Sequence, residues 1–172
     1  MNQSYPPALS VQDFATIKLL VLDVDGIMTD GGLYYTESGE ILKKFNVKDG
    51  LGIKRLINHG VTVAIISANS SEATLHRAER LNVEHVFINV KDKLKVLKTL
   101  CDRLQIPLTQ VASMGDDLSD LPVMRAVGYP MTVADAMPEN IAQARFVTTK
   151  SGGQGAVREV SDHIISALQS AS

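Results

Sequence analysis

The sequence predicts an α/β fold built around a three-layer, doubly wound parallel sheet with a Rossmann-like core. Short runs of apolar and β-branched residues alternate along the chain with longer segments of helical periodicity. The strand-like runs are apolar at nearly every position, which is typical of parallel strands with helices on both faces. We therefore expect right-handed helical crossovers between the strands and any ligand at the carboxyl ends of the strands.

The predicted elements begin after a polar N-terminal stretch. Residues 1–16 contain Pro6-Pro7 among polar residues, which favours a flexible leader, and one domain is expected over residues 17–172. Strands are predicted at Lys18–Val24, Val61–Ile66, His85–Ile88, Val111–Met114 and Phe146–Val147.

Helical spacing and one turn signal account for the segments between the strands. Apolar residues at helical spacing predict helices over Leu51–Asn58 and Leu94–Leu104. Gly31–Phe45 has two short alternating runs around Ser38-Gly39, a pattern typical of a β-hairpin. The remaining lengths are used up by single helices and strands, so the sequence predicts a hairpin flap and no independent cap domain.

The composition excludes several classes of protein. Of the 172 residues, 45% are hydrophobic and 21% are charged, which indicates one globular core rather than a disordered or coiled-coil chain. Seventeen basic and nineteen acidic side chains give a formal net charge of -2, which predicts neither a nucleic-acid nor a membrane partner. The single cysteine, Cys101, excludes an internal disulfide, so we expect a cytoplasmic protein.

Carboxylates follow two of the predicted strands. Asp23 and Asp25 end the first strand, and residues two apart in an extended chain face the same way, so both carboxylates can reach one site. Two anions this close need a cation or a proton between them. After the strand that ends at Met114 come Asp116, Asp117 and Asp120. A site made only of carboxylate oxygens is typical of Mg²⁺.

The other two strand ends supply a hydroxyl and an ammonium. Ser67 follows the second strand, and Lys93 opens the helix after the third, where its ammonium can bind a phosphate. Each of these signals is weak alone, because strand ends and helix starts often carry polar residues. Their arrival in order at successive strand ends makes them a strong signal for one site when taken together.

These residues resemble a known superfamily. The segment DVDGIMTDG, Ser67, Lys93 and the segment GDDLSD resemble the four motifs of the haloacid dehalogenase superfamily of aspartate-nucleophile phosphatases. More narrowly, DVDGIMTDGGLYY, KDGLGIK at Lys48–Lys54, GDDLSDLPVM and GGQGAVREV at Gly152–Val160 resemble the 3-deoxy-D-manno-octulosonate 8-phosphate phosphatases of lipopolysaccharide biosynthesis. The resemblance covers nearly the whole chain and implies the same haloacid dehalogenase-like fold.

The resemblance implies a role for each motif residue. Asp23 would be the nucleophile that forms an aspartyl-phosphate, and Asp25 would be the general acid and base. Mg²⁺ would be held by Asp23, the backbone carbonyl of Asp25 and Asp116, while Ser67 and Lys93 would bind the phosphoryl oxygens. Substrate-binding or supporting roles are expected at Thr29, Asp30, Lys48, Asp49, Gly50, Asn69, Arg77, Asp117, Asp120 and Arg158.

One departure from the family leaves the substrate open. Relatives typically have glycine-arginine after the second-motif hydroxyl, whereas this chain has Ala68-Asn69 and so lacks a guanidinium for the substrate carboxylate. The favoured substrate is the eight-carbon sugar acid 8-phosphate, and a nine-carbon keto sugar acid 9-phosphate is the alternative. A non-catalytic phosphoacceptor or scaffold domain is a third possibility, although phosphoacceptor domains lack the DxDG turn.

The missing cap also predicts an assembly. A hairpin flap leaves the site open to water, so a neighbouring subunit is expected to supply further walls, and the resemblance implies a homotetramer. Leu33, Tyr34 and Tyr35 on the hairpin are the candidate interface residues.

Overall fold

The computed structural model describes residues 7–171, which form a six-stranded parallel sheet covered by helices on both faces. The strands are β1 (Leu19–Leu22), β4 (Thr62–Ile66), β5 (His85–Phe87), β6 (Val111–Met114), β7 (Tyr129–Thr132) and β8 (Phe146–Val147). Their order across the sheet is β5-β4-β1-β6-β7-β8, with every neighbouring pair parallel. The switch in strand order on either side of β1 puts the carboxyl ends of β1, β4 and β6 side by side, where such folds bind ligands.

Seven α-helices connect and flank the strands. They are α1 (Val11–Ala15), α2 (Val47–Asn58), α3 (Glu72–Leu81), α4 (Lys93–Leu104), α5 (Leu121–Ala126), α6 (Pro138–Gln143) and α7 (Ala156–Ser170). Helix α2 begins four residues before its predicted start because the Asn46 side chain caps it, accepting from the Lys48 N–H at 2.8 Å. Among the helices that residues 7–171 form, none combines the length and apolar character needed to cross a membrane.

Two apolar cores sandwich the sheet. Strand β1 is buried throughout, and its alternating side chains enter opposite layers. Leu20 and Leu22 join the core that contains α2 and α7, whereas Leu19 and Val21 join the core that contains α4. The predicted all-apolar run is therefore explained by a strand that is covered on both sides.

The hairpin forms a separate two-stranded sheet, which confirms the prediction from Ser38-Gly39. Strand β2 (Tyr34–Tyr35) pairs antiparallel with β3 (Ile41–Leu42), and Gly39 adopts a φ of 87° in the turn. We call residues 31–45 the flap. Both tyrosines of β2 are exposed.

The predicted boundary at residue 17 needs correction, because the preceding segment packs into the domain. Ser10 caps α1 in a capping box with Asp13, and Phe14 is buried against the rings of Phe146 and His163 at centroid distances of 5.4 and 5.3 Å. A helix of five residues is too short to show periodicity in the sequence. The first six residues of the predicted leader, with Pro6, lie outside the described residues.

Strand β7 was not predicted. Its sequence contains Pro130, and proline normally argues against a central strand because it cannot donate to the ladder. The Pro130 carbonyl still accepts from the Arg145 N–H at 2.8 Å, and the strand is fully buried between β6 and β8. Tertiary burial outweighs the local signal here.

Candidate active site

The carboxyl ends of β1 and β6 bring two predicted carboxylates together. Leu22 and Met114 are paired in register, and the N–H of Asp23 continues the ladder by donating to the Met114 carbonyl at 3.1 Å. Asp116 follows β6 after one glycine. Both aspartates line a cavity of about 470 Å³ that opens at this edge of the sheet, together with Asp25, Ser67, Asn69, Lys93 and Asp117.

Lys93 forms ion pairs with two of the site's carboxylates, those of Asp23 and Asp120. Its side chain is 5% exposed, and Nζ lies 2.9 Å from Asp23 Oδ1 and 2.7 Å from Asp120 Oδ1. The other oxygen of Asp120 accepts from the Asp116 N–H at 3.1 Å. An ammonium buried this deeply needs such anionic partners, so the three side chains hold one another in place.

Burial and mutual repulsion shift the titration of these groups. Burial, and then the charge of Asp120, raise the pKa of Asp23 to about 6, although Lys93 opposes the rise. Burial, with the charges of Asp23 and Asp120, raises the pKa of Asp116 to about 7. Burial disfavours the charge of Lys93, but the carboxylates of Asp23 and Asp120 outweigh burial and raise the pKa of this ammonium. The single ammonium of Lys93 therefore does not balance the negative charges of Asp23, Asp116 and Asp120.

The residues present fit a divalent cation. Carboxylate oxygens of Asp23, Asp116 and Asp120 lie within 4.8 Å of one another, and we call these three residues the carboxylate cluster. Asp116 Oδ1 is buried and has no hydrogen-bond partner within the described chain. Three oxygen donors with one unsatisfied lone-pair site are typical of Mg²⁺ coordination. The Asp25 carboxylate does not belong to this cluster, so only its backbone carbonyl remains as a predicted ligand.

Gly26 makes room for Asp116. A Cβ on Gly26 would lie 1.9 Å from Asp116 Oδ2, and the glycine has a φ of 85° that other residues rarely adopt. We call residues 23–30, which follow β1, the β1 loop. The turn after Asp25 therefore lets the carboxylate cluster pack against the backbone of this loop.

Ser67 and Asn69 occupy the second strand end as predicted. Ser67 is buried, and its Oγ accepts from the Asn69 N–H at 3.2 Å. The Asn69 Oδ1 accepts from the Ser71 N–H at 2.9 Å, so this carboxamide oxygen is used within the loop. Both residues line the cavity beside Ala68.

Thr29 and Asp30 shape the β1 loop but do not line the cavity. The buried Thr29 Oγ1 accepts from the N–H groups of Gly26 and Gly31 at 3.4 and 3.2 Å. Asp30 accepts from the Gly32 N–H at 3.1 Å and pairs with Lys44 at 2.5 Å. Asp117 does line the cavity, and its Oδ1 caps the short 3₁₀ turn by accepting from the Leu118 N–H.

A second group of predicted substrate residues lies elsewhere in the same chain. None of its five members lines the cavity; they are Lys48, Asp49, Gly50, Arg77 and Arg158. The buried Asp49 accepts from the Arg158 N–H at 2.9 Å and so caps the start of α7, whose own cap residue is a glycine. Burial raises the pKa of Asp49, although hydrogen bonds from the backbone N–H groups of Arg158, Gly155 and Val157 oppose the rise.

The side chains around Asp49 are also used within the subunit. Arg77 donates to the Asn46 carbonyl at 3.1 Å, and a Cβ on Gly50 would lie 2.3 Å from its Nη2. Arg158 Nε donates to Asp162 at 2.8 Å, and Lys48 is exposed. Any contact of this group with a substrate stays a prediction, and in this chain the group joins α2, α3 and α7.

The glycine-rich segment after β8 supports the β1 loop. A Cβ on Gly152 would lie 1.8 Å from the Gly26 carbonyl oxygen, and the Gly153 N–H donates to the Ile27 carbonyl at 3.0 Å. Two backbone segments thus pack directly against each other beside the carboxylate cluster.

Lys43 contacts a site residue and was not among the residues predicted from the sequence. Its Nζ forms an ion pair with the Asp25 carboxylate, 18 positions earlier in the chain. Alternation along the flap offered a signal, because Ile41, Lys43 and Phe45 are half-buried whereas Leu42 and Lys44 are exposed.

Comparison with known proteins identifies the family. The haloacid dehalogenase-like hydrolase family matches residues 89–160. Over 155 residues the chain is 46% identical to the 3-deoxy-D-manno-octulosonate 8-phosphate phosphatase KdsC of Yersinia pestis, an alignment that covers 90% of this chain and 83% of that protein. The chain belongs to the 3-deoxy-D-manno-octulosonate 8-phosphate phosphatase family. The predicted haloacid dehalogenase relationship is thereby confirmed, and so is phosphatase chemistry over the non-catalytic alternatives.

Solved structures of this phosphatase family match the fold over more than nine-tenths of the chain. The Moraxella catarrhalis 3-deoxy-D-manno-octulosonate 8-phosphate phosphatase, crystallised with a magnesium ion, a phosphate ion and KDO, superposes with a TM-score of 0.90 at 40% identity, covering 92% of this chain and 91% of that one. The cobalt-bound Haemophilus influenzae enzyme superposes with a TM-score of 0.88 at 36% identity, covering 91% and 92%. The predicted three-layer α/β fold is confirmed, and no cap domain interrupts residues 7–171.

Proposed function

We propose that this protein is a Mg²⁺-dependent phosphatase that hydrolyses 3-deoxy-D-manno-octulosonate 8-phosphate (KDO 8-phosphate) to KDO and phosphate, in the cytoplasmic synthesis of lipopolysaccharide precursors. The observation that carries the proposal is the position of Asp23, a buried carboxylate at the floor of an open cavity with Lys93 at 2.9 Å and Asp116 alongside. Membership of the phosphatase family supports the substrate class.

In the first half-reaction, Asp23 is the nucleophile. One of its carboxylate oxygens forms a bond to phosphorus while the bond from phosphorus to the sugar oxygen breaks. Asp25, which lines the same cavity, gives its proton to the departing sugar oxygen, so this oxygen leaves as a neutral hydroxyl group of KDO. The products of this step are KDO and an aspartyl-phosphate on Asp23.

In the second half-reaction, the ionised Asp25 is the base. It takes a proton from a water molecule as the water oxygen bonds to phosphorus and the bond to the Asp23 oxygen breaks. Phosphate leaves, Asp23 regains its carboxylate, and Asp25 regains the proton that it lost in the first step. The two halves need one residue as both acid and base, which suits a carboxylate at the cavity wall.

Lys93, Ser67 and a bound Mg²⁺ would together stabilise the negative charge of the phosphoryl group. Lys93 and Ser67 line the cavity beside Asp23, where an ammonium and a hydroxyl can bind the phosphoryl oxygens throughout the reaction. Asp23, Asp116 and the Asp25 carbonyl would hold Mg²⁺, with Asp120 and Asp117 supporting them. The bound ion would neutralise the site and polarise the phosphoryl group.

The substrate is proposed with the eight-carbon acid ahead of the nine-carbon acid. Asn69 lines the cavity and carries no charge, so it can hydrogen-bond a sugar oxygen but cannot pair ionically with a carboxylate. This observation keeps a nine-carbon keto sugar acid 9-phosphate as the second candidate.

A homo-oligomer, favoured as a tetramer, is part of the proposal. The flap and the start of α2 expose Leu33, Tyr34, Tyr35, Leu42 and Val47, of which Val47 is 82% exposed. Apolar side chains grouped in this way beside an open cavity are typical of a surface that a second subunit covers. Light scattering is expected to show the oligomer, and a fully active monomer would contradict it.

The test of function is phosphate release from a panel of monoesters with Mg²⁺ and with a chelator. We expect the highest kcat/KM for KDO 8-phosphate, a lower value for the nine-carbon 9-phosphate and for para-nitrophenyl phosphate, and little release with the chelator. Faster hydrolysis of the nine-carbon ester would move the assignment to the alternative substrate. No release from any ester would refute the phosphatase.

A further inference from the structure

At the base of the flap, the side chain of Lys43 is buried, although the residue as a whole is half-buried. Its side chain is 1% exposed, whereas the side chain of the adjacent Lys44 is 55% exposed. Moving an ammonium out of water is costly unless an anion compensates it. The anion here is Asp25, so the buried position of Lys43 depends on this one carboxylate.

The ion pair in turn fixes Asp25. Lys43 Nζ donates to Oδ1 of Asp25, and no other side chain of residues 7–171 donates to this carboxylate. Asp25 lines the cavity and is 32% exposed, so without Lys43 its side chain would be free to choose other rotamers towards water. With Oδ1 occupied, Oδ2 is left to exchange a proton with the substrate or with water.

Lys43 does not itself line the cavity. It therefore acts on the reaction through Asp25 and not through the substrate. Because it follows β3 directly, the position of the flap and the orientation of Asp25 are linked through one side chain.

We propose that Lys43 is a positioning residue whose buried ammonium holds Asp25 in the orientation needed for proton transfer to the leaving group. The inference rests on the proposed function, because it concerns the acid and base role of Asp25. It differs from a purely structural role for the lysine, in which the ion pair only holds the flap against the β1 loop.

The two roles are separated by the leaving group. The sugar alkoxide of KDO 8-phosphate needs a proton as it departs, whereas the phenolate of para-nitrophenyl phosphate is stable without one. In steady-state assays, kcat/KM covers the steps up to the transfer of the phosphoryl group to Asp23. A misplaced Asp25 therefore lowers kcat/KM for the sugar ester more than for the aryl ester.

The variant Lys43→Met is expected to lower kcat/KM about 30-fold for KDO 8-phosphate and less than about 3-fold for para-nitrophenyl phosphate. Lys44→Met is the matched control, because Lys44 is the neighbouring lysine and its side chain is exposed. We expect it to change both values less than about 2-fold. Equal losses for the two esters in Lys43→Met would overturn the positioning role.

Two further variants guard against misfolding of Lys43→Met. Lys43→Arg keeps a cation and should keep the ratio of the two kcat/KM values within about 3-fold of the wild-type ratio. In an Asp25→Asn background, adding Lys43→Met should cost less than about 2-fold for the sugar ester, because the residue it positions is already disabled. A further loss of tenfold there would overturn the proposal.

Failure of the proposed function gives a different result. If the wild-type protein hydrolyses another alkyl phosphate and not KDO 8-phosphate, the substrate assignment is wrong and the same ratio is measured with that ester. If the wild-type protein hydrolyses no ester, the proposed function and the role of Lys43 both fall.

Discussion

The carboxylate cluster and the flap both contribute to the cavity, the first through Asp23 and Asp116 and the second through Gly31, but they are held by different forces. The cluster is buried at the ends of β1 and β6, and its oxygens are tied to Lys93 and to backbone N–H groups. The flap consists of two strands of two residues each, exposes both tyrosines of β2, and is joined to the β1 loop by the ion pairs of Lys43 and Lys44. The difference supports our proposal that the sheet positions the reacting groups, whereas substrate selectivity depends on a flap that a second subunit covers.

Removing the nucleophile from the carboxylate cluster should cause the largest loss of activity. Asp23→Asn keeps the shape of the side chain but loses the nucleophilic carboxylate, so we expect kcat to fall at least about 1,000-fold for every ester. Phosphate release and trapping of the acid-stable phosphoenzyme measure the loss. The control Asp102→Asn changes an exposed aspartate on α4 and should leave kcat within about 2-fold. Appreciable metal-dependent turnover by Asp23→Asn would refute the nucleophile.

A methyl group at Gly26 should displace a metal ligand without removing it. In Gly26→Ala the new Cβ overlaps Asp116 Oδ2, so we expect kcat/KM to fall about 100-fold and Mg²⁺ affinity to fall with it. Gly39→Ala is the matched control on the flap, because Gly39 has a similar φ of 87° but open space around its Cβ position. Equal effects of the two variants would show that backbone strain, and not Asp116, is responsible.

The carboxylate cluster also predicts a pH-dependent affinity for Mg²⁺. The pKa values of Asp116 and Asp23 are raised to about 7 and about 6, so both groups bind protons as the pH falls below 7. Protons then compete with the cation, and the Mg²⁺ affinity should drop roughly tenfold or more between pH 8 and pH 6. Calorimetry at the two pH values measures this, with Asp116→Asn expected to show a shallower dependence. An unchanged Kd would contradict the assignment of the ligands.

Polar substitutions on the flap should have the smallest effect on catalysis, and that effect should be confined to selectivity. Replacing Tyr35 and Leu42 together by serine removes apolar surface that we assign to a subunit contact. We expect a smaller species in light scattering and a loss of about fivefold in kcat/KM for the sugar ester, with little change for the aryl ester. Val11→Ser, at an exposed apolar residue on α1, is the control. An unchanged oligomer would place the interface elsewhere.

The sequence predicted the parts of the molecule that follow from local pattern. All-apolar runs located β1, β4 and β6, and the rule that ligands bind at the carboxyl ends of parallel strands brought Asp23, Ser67 and Asp116 to one cavity. The flap was predicted from Ser38-Gly39 because a turn glycine is a local signal. For these elements, short-range preference and the tertiary structure agree.

The features that were missed depend on contacts between distant residues. Strand β7 forms despite Pro130 because its neighbours bury it, and α1 is stabilised by Phe146 and His163, which come more than 130 residues later. The pairing of Lys43 with Asp25 depends on how the flap folds back over the β1 loop. The contact by which Asp49 caps α7 was also missed, because it depends on the position of that helix, and a substrate contact of Asp49 stays a prediction.

The close approach of Gly152 to Gly26 has a consequence for engineering the enzyme. No side chain fits between these backbones, so replacing Gly152 would shift the turn that makes room for Asp116. A library intended to alter substrate preference is therefore better placed on the flap, with both glycines kept. A chain that ended before Gly152 would lose the backbone contacts with Gly26 and Ile27, even though it kept Asp23, Asp25 and Asp116.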